Sequence, residues 1–152
     1  MRKYLNREYH QIGEAVWHFE AIDTDGDRSD LLLFIEYQSP KRQWVTHSVE
    51  SKRLRRYVTV SDLRKMCLGV RQARKYYANY RWLAISRNLY YSLTYEEIKK
   101  LKNNCKRSSP KVGLLVAYKT TVKLFIKSGY HPGDWIKYYR AQDWILEQIG
   151  VN

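Results

Sequence analysis

The sequence has few of the residues that interrupt or cross-link a chain. Its 152 residues include seven glycines, three prolines and two cysteines. So few glycines, and none in a G-x-x-x-x-G-K pattern, disfavour nucleotide-dependent chemistry. Cys67 and Cys105 stand far apart and form no C-x-x-C pair, which disfavours a disulfide scaffold and a structural zinc site. We expect two reduced thiols, no cofactor and no structural metal.

Long hydrophobic runs are also missing. Charged residues interrupt every apolar run before the roughly 20 residues that a membrane-spanning helix needs. The first residues, MRKYLNREYHQ, lack the apolar stretch of a signal peptide. The sequence therefore predicts a folded cytoplasmic protein with no membrane partner. Its length and lack of repeats or linkers predict a single domain over residues 1–152, β-rich over 14–58 and α-rich over 59–150.

Alternating apolar residues predict a β-meander in the first third of the chain. EAVWHFEAI, residues 14–22, alternates with the period of two that a strand requires. LLLFIEYQ, residues 31–38, follows after the turn-forming sequence DTDGDRSD, so the two runs predict a β-hairpin. Residues 43–50 give a third strand, and the basic run 52–58 is a candidate fourth.

The rest of the chain has helical spacing and helix-start signals. Thr59 and Thr94 each precede an acidic residue by three positions, as in a capping box. Ser109-Pro110 fits an N-cap followed by proline at the first helical position. The expected helices cover residues 59–77, 80–92, 94–103, 110–128 and 135–149, with a strand left open for 80–92. Strands followed by helices predict an α+β fold: a small N-terminal antiparallel β-meander of three to four strands packed on a mainly helical C-terminal two-thirds.

Positive charge is concentrated in residues 52–91, which hold eleven Lys and Arg against the single acidic residue Asp62. The whole chain carries a net charge of +13, yet residues 1–51 have six basic and nine acidic groups. Seven aromatic residues are interspersed within the basic stretch. Cationic groups neutralise phosphates and aromatic rings stack on bases, so this composition predicts binding to nucleic acid, DNA or RNA.

The leading hypothesis is a small basic accessory or regulatory protein of the phage or mobile-element type, which binds nucleic acid without catalysis. The residues expected to contact the ligand are Lys52, Arg53, Arg55, Arg56, Arg64, Arg71, Arg74, Lys75, Tyr76, Tyr80, Arg81, Trp82 and Arg87. Tyr, Trp and Arg are also enriched at protein interfaces. A second hypothesis is therefore an interaction module or inhibitor that docks on an acidic surface of a nucleic-acid-processing enzyme.

The turn between the first two expected strands is acidic. It has four aspartates, three of them at alternate positions, a spacing that can gather a cation. A calcium loop needs glycine at its sixth position and glutamate at its twelfth, and counting from Asp23 those positions hold Arg28 and Phe34. A solvated hairpin turn is therefore favoured over a calcium site. The four aspartates are Asp23, Asp25, Asp27 and Asp30.

The same acidic region gives a third hypothesis, a metal-dependent nuclease. Asp30, together with Glu36-Tyr37-Gln38, resembles the metal-binding hairpin of the restriction-endonuclease-like superfamily. The resemblance implies that Asp30 and Glu36 hold Mg²⁺ against the scissile phosphate while Gln38 orients the attacking water. That superfamily usually has a lysine at the position of Gln38. The catalytic candidates under this hypothesis are Asp30, Glu36 and Gln38.

A helix-turn-helix is a further candidate for DNA recognition, built from residues 94–102 and 110–127. The intervening turn has about seven residues where three or four are usual. Its second helix is also mostly aliphatic, whereas a helix that reads a DNA groove presents polar side chains. These features favour a core role for residues 110–127.

Overall fold

The structure is a computed structural model and describes residues 15–37, 43–52 and 69–150 of the chain. Six strands form one sheet in chain order. The β3–β4 and β4–β5 pairs are parallel, and the other three pairs are antiparallel. The strands are β1 (Ala15–Ile22), β2 (Arg28–Tyr37), β3 (Gln43–Lys52), β4 (Tyr80–Ser86), β5 (Gly113–Ala117) and β6 (Val122–Ile126).

Short helices connect and cover the sheet. They are α1 (Arg87–Tyr91), α2 (Tyr95–Arg107), α3 (Gln142–Gln148) and a 3-10 turn (Ile136–Tyr138), and residues 69–75 are helical as well. The predicted capping box at Thr94 is confirmed, since Thr94 and Glu97 each accept a hydrogen bond from the backbone N–H of the other. Within the described residues, no helix is long and apolar enough to cross a membrane.

The prediction of a mainly helical C-terminal two-thirds is wrong. Residues 80–92 form β4 followed by the short helix α1, and the expected helix 110–128 is instead the hairpin of β5 and β6. Leu114, Leu115 and Val116 are all buried, so β5 is covered on both faces. A strand buried in this way has an unbroken apolar sequence, which hides its period of two. The helix-turn-helix interpretation fails because its second helix does not exist.

The three strands of the expected meander are described, whereas two further expected elements are described only in part. The three-stranded meander is present, with β1 pairing β2 and β2 pairing β3. The candidate fourth strand, 52–58, lies outside the described residues beyond Lys52, and the expected helix 59–77 is described only from residue 69.

The core lies on both faces of the sheet. One face buries Leu32 of β2 and Leu83 of β4, over which the 69–75 helix, α2 and α3 pack. The other face buries Leu33 of β2 and Trp82 of β4 in a separate cluster. Side chains alternate along each strand, so Asp30 and Glu50 project from the same face as Leu32 and Leu83. The helical face of the sheet therefore carries the polar groups described next.

Candidate functional site

Two acidic residues occupy facing positions on the neighbouring strands β2 and β3. Leu31 pairs with Val49, so one step outward in this antiparallel ladder Asp30 stands opposite Glu50. Side chains directly opposite in such a pair have Cβ atoms about 5 Å apart. Asp30 is half-buried, and its Oδ2 accepts hydrogen bonds from the backbone N–H of Ser51 at 2.6 Å and from the Ser51 hydroxyl at 2.9 Å. These bonds hold the Asp30 carboxylate against the end of β3.

Glu50 is held by a contact on each oxygen. It is only 5% exposed, and a carboxylate this buried needs charged or hydrogen-bonding partners. Lys52, two residues later on the same face of β3, makes an ion pair with Oε1. The hydroxyl of Tyr76 hydrogen-bonds to Oε2. Glu50 and Lys52 thus form an acid-x-lysine pair at the end of β3, directly beside Asp30.

Tyr76 links this site to the helical layer. Its hydroxyl also lies 2.8 Å from the backbone oxygen of Arg28, at the start of β2. Burial, followed by the hydrogen bond to Glu50, raises the pKa of Tyr76 well above its usual value, so the hydroxyl stays protonated as a donor. The ring is 4% exposed. Tyr76 therefore fixes the Glu50 carboxylate relative to two strands.

The backbone on either side of Tyr76 is anchored by two further buried side chains. Arg81 donates from Nη1 to the Arg74 carbonyl at 2.5 Å, and Tyr139 donates to the Tyr77 carbonyl at 2.7 Å. Desolvation lowers the pKa of Arg81 to about 10, so the guanidinium is still charged at neutral pH. A cation that bonds the last carbonyls of a helix also complements the helix dipole. Both contacts hold Tyr76 in place.

The acidic turn has a structural role. Asp23 is buried, and its Oδ1 accepts the backbone N–H groups of Asp25 and Asp27 at 3.0 and 2.9 Å. Burial is the main cause that raises the pKa of Asp23. Asp25 accepts a hydrogen bond from Tyr77 at 2.8 Å. These contacts shape the β1–β2 turn and engage one carboxylate oxygen each of Asp23 and Asp25.

The structure does not bring together the three residues of the predicted nuclease hairpin. Asp30 and Glu36 lie on the same strand six residues apart, on the order of 20 Å along β2, so they cannot hold one ion. Glu36 is buried opposite Trp44, at the other end of the strand. Gln38 lies outside the described residues. Only Asp30 of the three belongs to the carboxylate site.

The predicted nucleic-acid-binding residues fall into three groups. Tyr76, Arg81 and Trp82 are buried, with Trp82 fully enclosed, so in this structure they cannot stack on bases or reach phosphates. Tyr80 is half-buried against His47 and Tyr130. Exposed side chains are Arg71, Arg74, Lys75 and Arg87, while Lys52 is half-buried beside Glu50. Arg53, Arg55, Arg56 and Arg64 lie outside the described residues.

Three exposed arginines line one cleft on the helical face. Arg71 and Arg74, one helical turn apart, face Arg107 at the end of α2. Val70, Asn104 and Ser108 complete the lining of a cavity of about 310 Å³. Within the described part of the chain, none of the three arginines makes an ion pair. Their charge is therefore available to an external anion.

Sequence reasoning missed Glu50 and its partnership with Tyr76. The available signal is Glu50-Ser51-Lys52, an acid-x-lysine sequence at the end of the third expected strand. In the sequence Lys52 stands out for its charge and Tyr76 for its ring, and neither is connected to Asp30. The connection depends on the register between β2 and β3, which the sequence does not display.

The comparisons with known proteins add no functional assignment. No protein-family description and no curated protein matches the chain. Among solved structures it is similar to the SPO1766 protein of unknown function from Silicibacter pomeroyi, with 13% sequence identity and a TM-score of 0.48. The alignment covers 94% of this chain and 73% of that chain. A likeness at this level carries no argument about the site.

Proposed function

We propose that the protein is a metal-dependent nuclease that hydrolyses phosphodiester bonds of nucleic acid at Asp30, Glu50 and Lys52. The observation that carries the proposal is that two acidic residues face each other on adjacent strands, with a lysine two residues beyond the second. Mg²⁺ is commonly bound in this way, by one or two carboxylates together with waters and substrate phosphates.

The donor set fits such an ion. Among the described residues, no group of three or more His, Cys, Asp or Glu side chains is placed to hold a metal. A site with two carboxylates would hold an ion that completes its shell with water and phosphate oxygens, and that ion would share the Glu50 oxygens with Lys52 and Tyr76. The Ser51 hydrogen bonds engage Oδ2 of Asp30 and leave Oδ1 for a ligand. When bound, Mg²⁺ polarises the phosphate and activates water.

Lys52 supplies the third component. Its ammonium group lies beside Glu50, where it would orient the attacking water and offset the negative charge that grows on the phosphate. The restriction-endonuclease-like superfamily usually places a lysine after its second acid, and Gln38 departs from that pattern. Glu50-Ser51-Lys52 has the expected lysine. The same resemblance therefore fits better on Asp30, Glu50 and Lys52.

The charge of the molecule supports a polyanionic substrate. The chain has a net charge of +13, and the cleft of Arg71, Arg74 and Arg107 presents three guanidinium groups without ion-pair partners among the described residues. Guanidinium groups bind phosphates in a bidentate manner. Binding to nucleic acid, the leading expectation from the sequence, becomes substrate binding under this proposal.

The proposal is tested with labelled single- and double-stranded DNA and RNA in Mg²⁺, Mn²⁺ or EDTA. The wild type should cut at least one of these ligands with metal and none in EDTA. Asp30→Asn, Glu50→Gln and Lys52→Met should each lower the cutting rate by about 100-fold or more. Each should still bind the ligand in EDTA. Asp143→Asn, which changes an exposed acid on α3, is the matched control and should cut normally.

Each alternative gives a different result. If the wild type binds nucleic acid but never cuts it, the hypothesis of a non-catalytic accessory or regulatory protein is favoured. Failure to bind any of the four ligands would favour a protein-interaction module that docks on an acidic surface. Full cutting activity in Glu50→Gln would show that Asp30 and Glu50 are not the catalytic carboxylates.

A further inference from the structure

A cluster of tyrosines and cations lies beside α1. The Arg87 guanidinium carbon is 5.8 Å from the ring centre of Tyr91 and 5.4 Å from that of Tyr118. The two tyrosine hydroxyls are 2.9 Å apart and hydrogen-bonded. Lys123 of β6 places its ammonium 5.1 Å from the Tyr118 ring centre. We call these four residues the tyrosine–arginine cluster.

The tyrosine–arginine cluster lies at the same edge of the sheet as the carboxylates. Lys52 pairs with Ile85 across the parallel strands β3 and β4, and Ile85 pairs with Val116 of β5. Arg87 and Tyr118 each come two residues after that row. The carboxyl ends of parallel strands are where open sheets that contain them bind their ligands. A strand of nucleic acid at the carboxylates can therefore continue along this edge onto the cluster.

The cluster combines an exposed ring with an uncompensated positive charge. Tyr91 is 59% exposed, and Arg87, also exposed, makes no ion pair with any described residue. An open depression of about 620 Å³ is lined by Arg87, Asn88, Tyr91 and Ser92. A tyrosine face accepts a base by stacking, and an adjacent arginine accepts the phosphate. Bases inside a duplex are already stacked on each other and do not offer a free face.

We propose that the tyrosine–arginine cluster is a subsite for an unpaired nucleotide, with the base on Tyr91 and the phosphate on Arg87. The Tyr118 hydroxyl fixes the orientation of Tyr91, and the Tyr118 ring holds Arg87 beside it. This inference rests on the proposed nuclease function and adds its substrate class: single-stranded nucleic acid, or a duplex with an unpaired end. Binding at the subsite itself requires neither metal nor cutting.

Binding in EDTA separates the subsite from the chemistry. Affinities are measured by fluorescence anisotropy for a single-stranded oligonucleotide and for its duplex, each over a range of salt concentrations. Tyr91→Leu should weaken single-strand binding by about tenfold, while it leaves duplex binding and the salt slope unchanged. Tyr91→Phe keeps the ring and loses only the hydrogen bond to Tyr118, so it should lose much less single-strand affinity than Tyr91→Leu. Arg87→Gln should instead reduce the single-strand salt slope by about 0.7, the value for one phosphate contact.

A base analogue reports stacking directly. The fluorescence of 2-aminopurine in the single strand should be quenched by the wild type and by Tyr91→Phe, and less by Tyr91→Leu. Tyr130→Leu is the matched control, because Tyr130 is 53% exposed and lies against Tyr80 at the opposite edge of the sheet. It should bind both oligonucleotides normally. Circular dichroism melting of each variant confirms that it is folded.

The outcomes distinguish the two proposals. If Tyr91→Leu is folded and binds single strands as tightly as the wild type, or loses single-strand and duplex binding equally, the subsite is refuted even when the enzyme cuts. If the wild type shows the expected pattern in EDTA but never cuts with Mg²⁺ or Mn²⁺, the subsite stands and the nuclease proposal falls.

Discussion

At the scale of single residues, Tyr76 fixes the Glu50 carboxylate, which binds Mg²⁺ under the proposed function. Replacing Tyr76 by Phe keeps the ring in its buried place but removes the donor to Glu50 and to the Arg28 carbonyl. Leaving buried acceptors without a donor costs about 1 to 3 kcal/mol of folding free energy. We expect Tyr76→Phe to raise the Mg²⁺ concentration needed for half-maximal cutting by about tenfold, as removal of an outer hydrogen bond to a metal ligand does.

A second tyrosine provides the control for that experiment. Tyr139 is equally buried, and its hydroxyl donates to the Tyr77 carbonyl rather than to the carboxylate. Tyr139→Phe should lower the melting temperature to a similar extent without changing the Mg²⁺ requirement. Equal shifts in the Mg²⁺ requirement for both variants would show that Tyr76 acts only through stability.

His47 makes stability depend on pH. It is fully buried, and desolvation lowers its pKa to about 3 from an ordinary value of 6.5. Its Nδ1 accepts a hydrogen bond from Trp82 Nε1 at 3.1 Å, which protonation of that nitrogen would break. Between pH 6.5 and 3, His47 is therefore protonated in the unfolded chain but stays neutral in the folded protein. Stability should fall with decreasing pH across this window, by up to about 1.4 kcal/mol per pH unit from this group.

Urea unfolding at pH 7 and pH 5 measures this effect. The wild type should lose stability between the two, and His47→Gln should lose less because the titrating group is gone. His18→Gln, at a half-buried position on β1, is the control and should lose as much stability as the wild type. An identical loss in His47→Gln and the wild type would assign the pH dependence to other groups.

At the residue scale the sequence names part of the proposed site. Asp30 and Lys52 are both candidates from the sequence, one for its acidity and one for its charge. Glu50 is not, because an acid within a strand resembles any outward-facing polar residue until its neighbour across the ladder is known. Tyr76 is expected from the sequence to stack on bases. Its burial is a tertiary contact between a helix and two strands, which local sequence does not encode.

At the scale of elements, β4 and β5 fit together because one residue has no side chain. A Cβ built on Gly113 would lie 2.3 Å from Trp82 Cε3 and 2.9 Å from the Ser128 backbone nitrogen. Trp82 is fully buried and hydrogen-bonded to His47, so it has little freedom to move. Gly113→Ala should therefore destabilise the protein by about 3 kcal/mol or more.

Thermal unfolding of two alanine variants checks this close approach. Gly129→Ala is the comparison, because its Cβ would meet the Lys111 Cβ at 3.1 Å, a contact that a shift of a few tenths of an ångström relieves. Its melting temperature should fall much less than that of Gly113→Ala. Similar melting temperatures would show that Trp82 adapts to the added methyl group.

The sequence predicted elements well where one face is exposed and poorly where both are buried. The meander and the Thr94 helix start are recognisable from a period of two and from a capping box. Residues 110–128 mislead because leucines and valines on both faces of β5 satisfy helical spacing as well. In residues 80–92 a buried strand passes directly into a helix, so one periodicity cannot describe both.

At the scale of the whole molecule, the effects of net charge and of the arginine cleft on nucleic-acid binding can be measured separately. Neutralising the arginine cleft should weaken binding to every nucleic-acid sequence alike. On duplex DNA the salt slope should fall by about 0.9 for each phosphate that the variant no longer neutralises. The variant is Arg71→Gln, Arg74→Gln, Arg107→Gln. A control that removes the same charge elsewhere uses three exposed α2 lysines that do not line the cleft: Lys99→Gln, Lys100→Gln, Lys106→Gln.

Anisotropy titrations at several salt concentrations compare the two triple variants. The arginine variant should show the larger decrease in affinity and in salt slope. Equal decreases would mean that overall charge, rather than the cleft, governs binding. Composition shows where positive charge lies along the chain. It does not show whether nucleic acid binds to the arginine cleft or to charge spread over the whole surface, and this comparison decides between the two.

The order of strands in the sheet also bears on how the chain assembles. Because the described sheet follows chain order, each strand pairs with the strand made just before it, and no strand must be inserted between two already paired. During synthesis from the amino terminus, the β1–β3 meander can form while later residues are still being added. Asp30 and Glu50 would then face each other early. The parallel joining of β4 to β3 requires a longer loop closure, so we expect it to follow the meander.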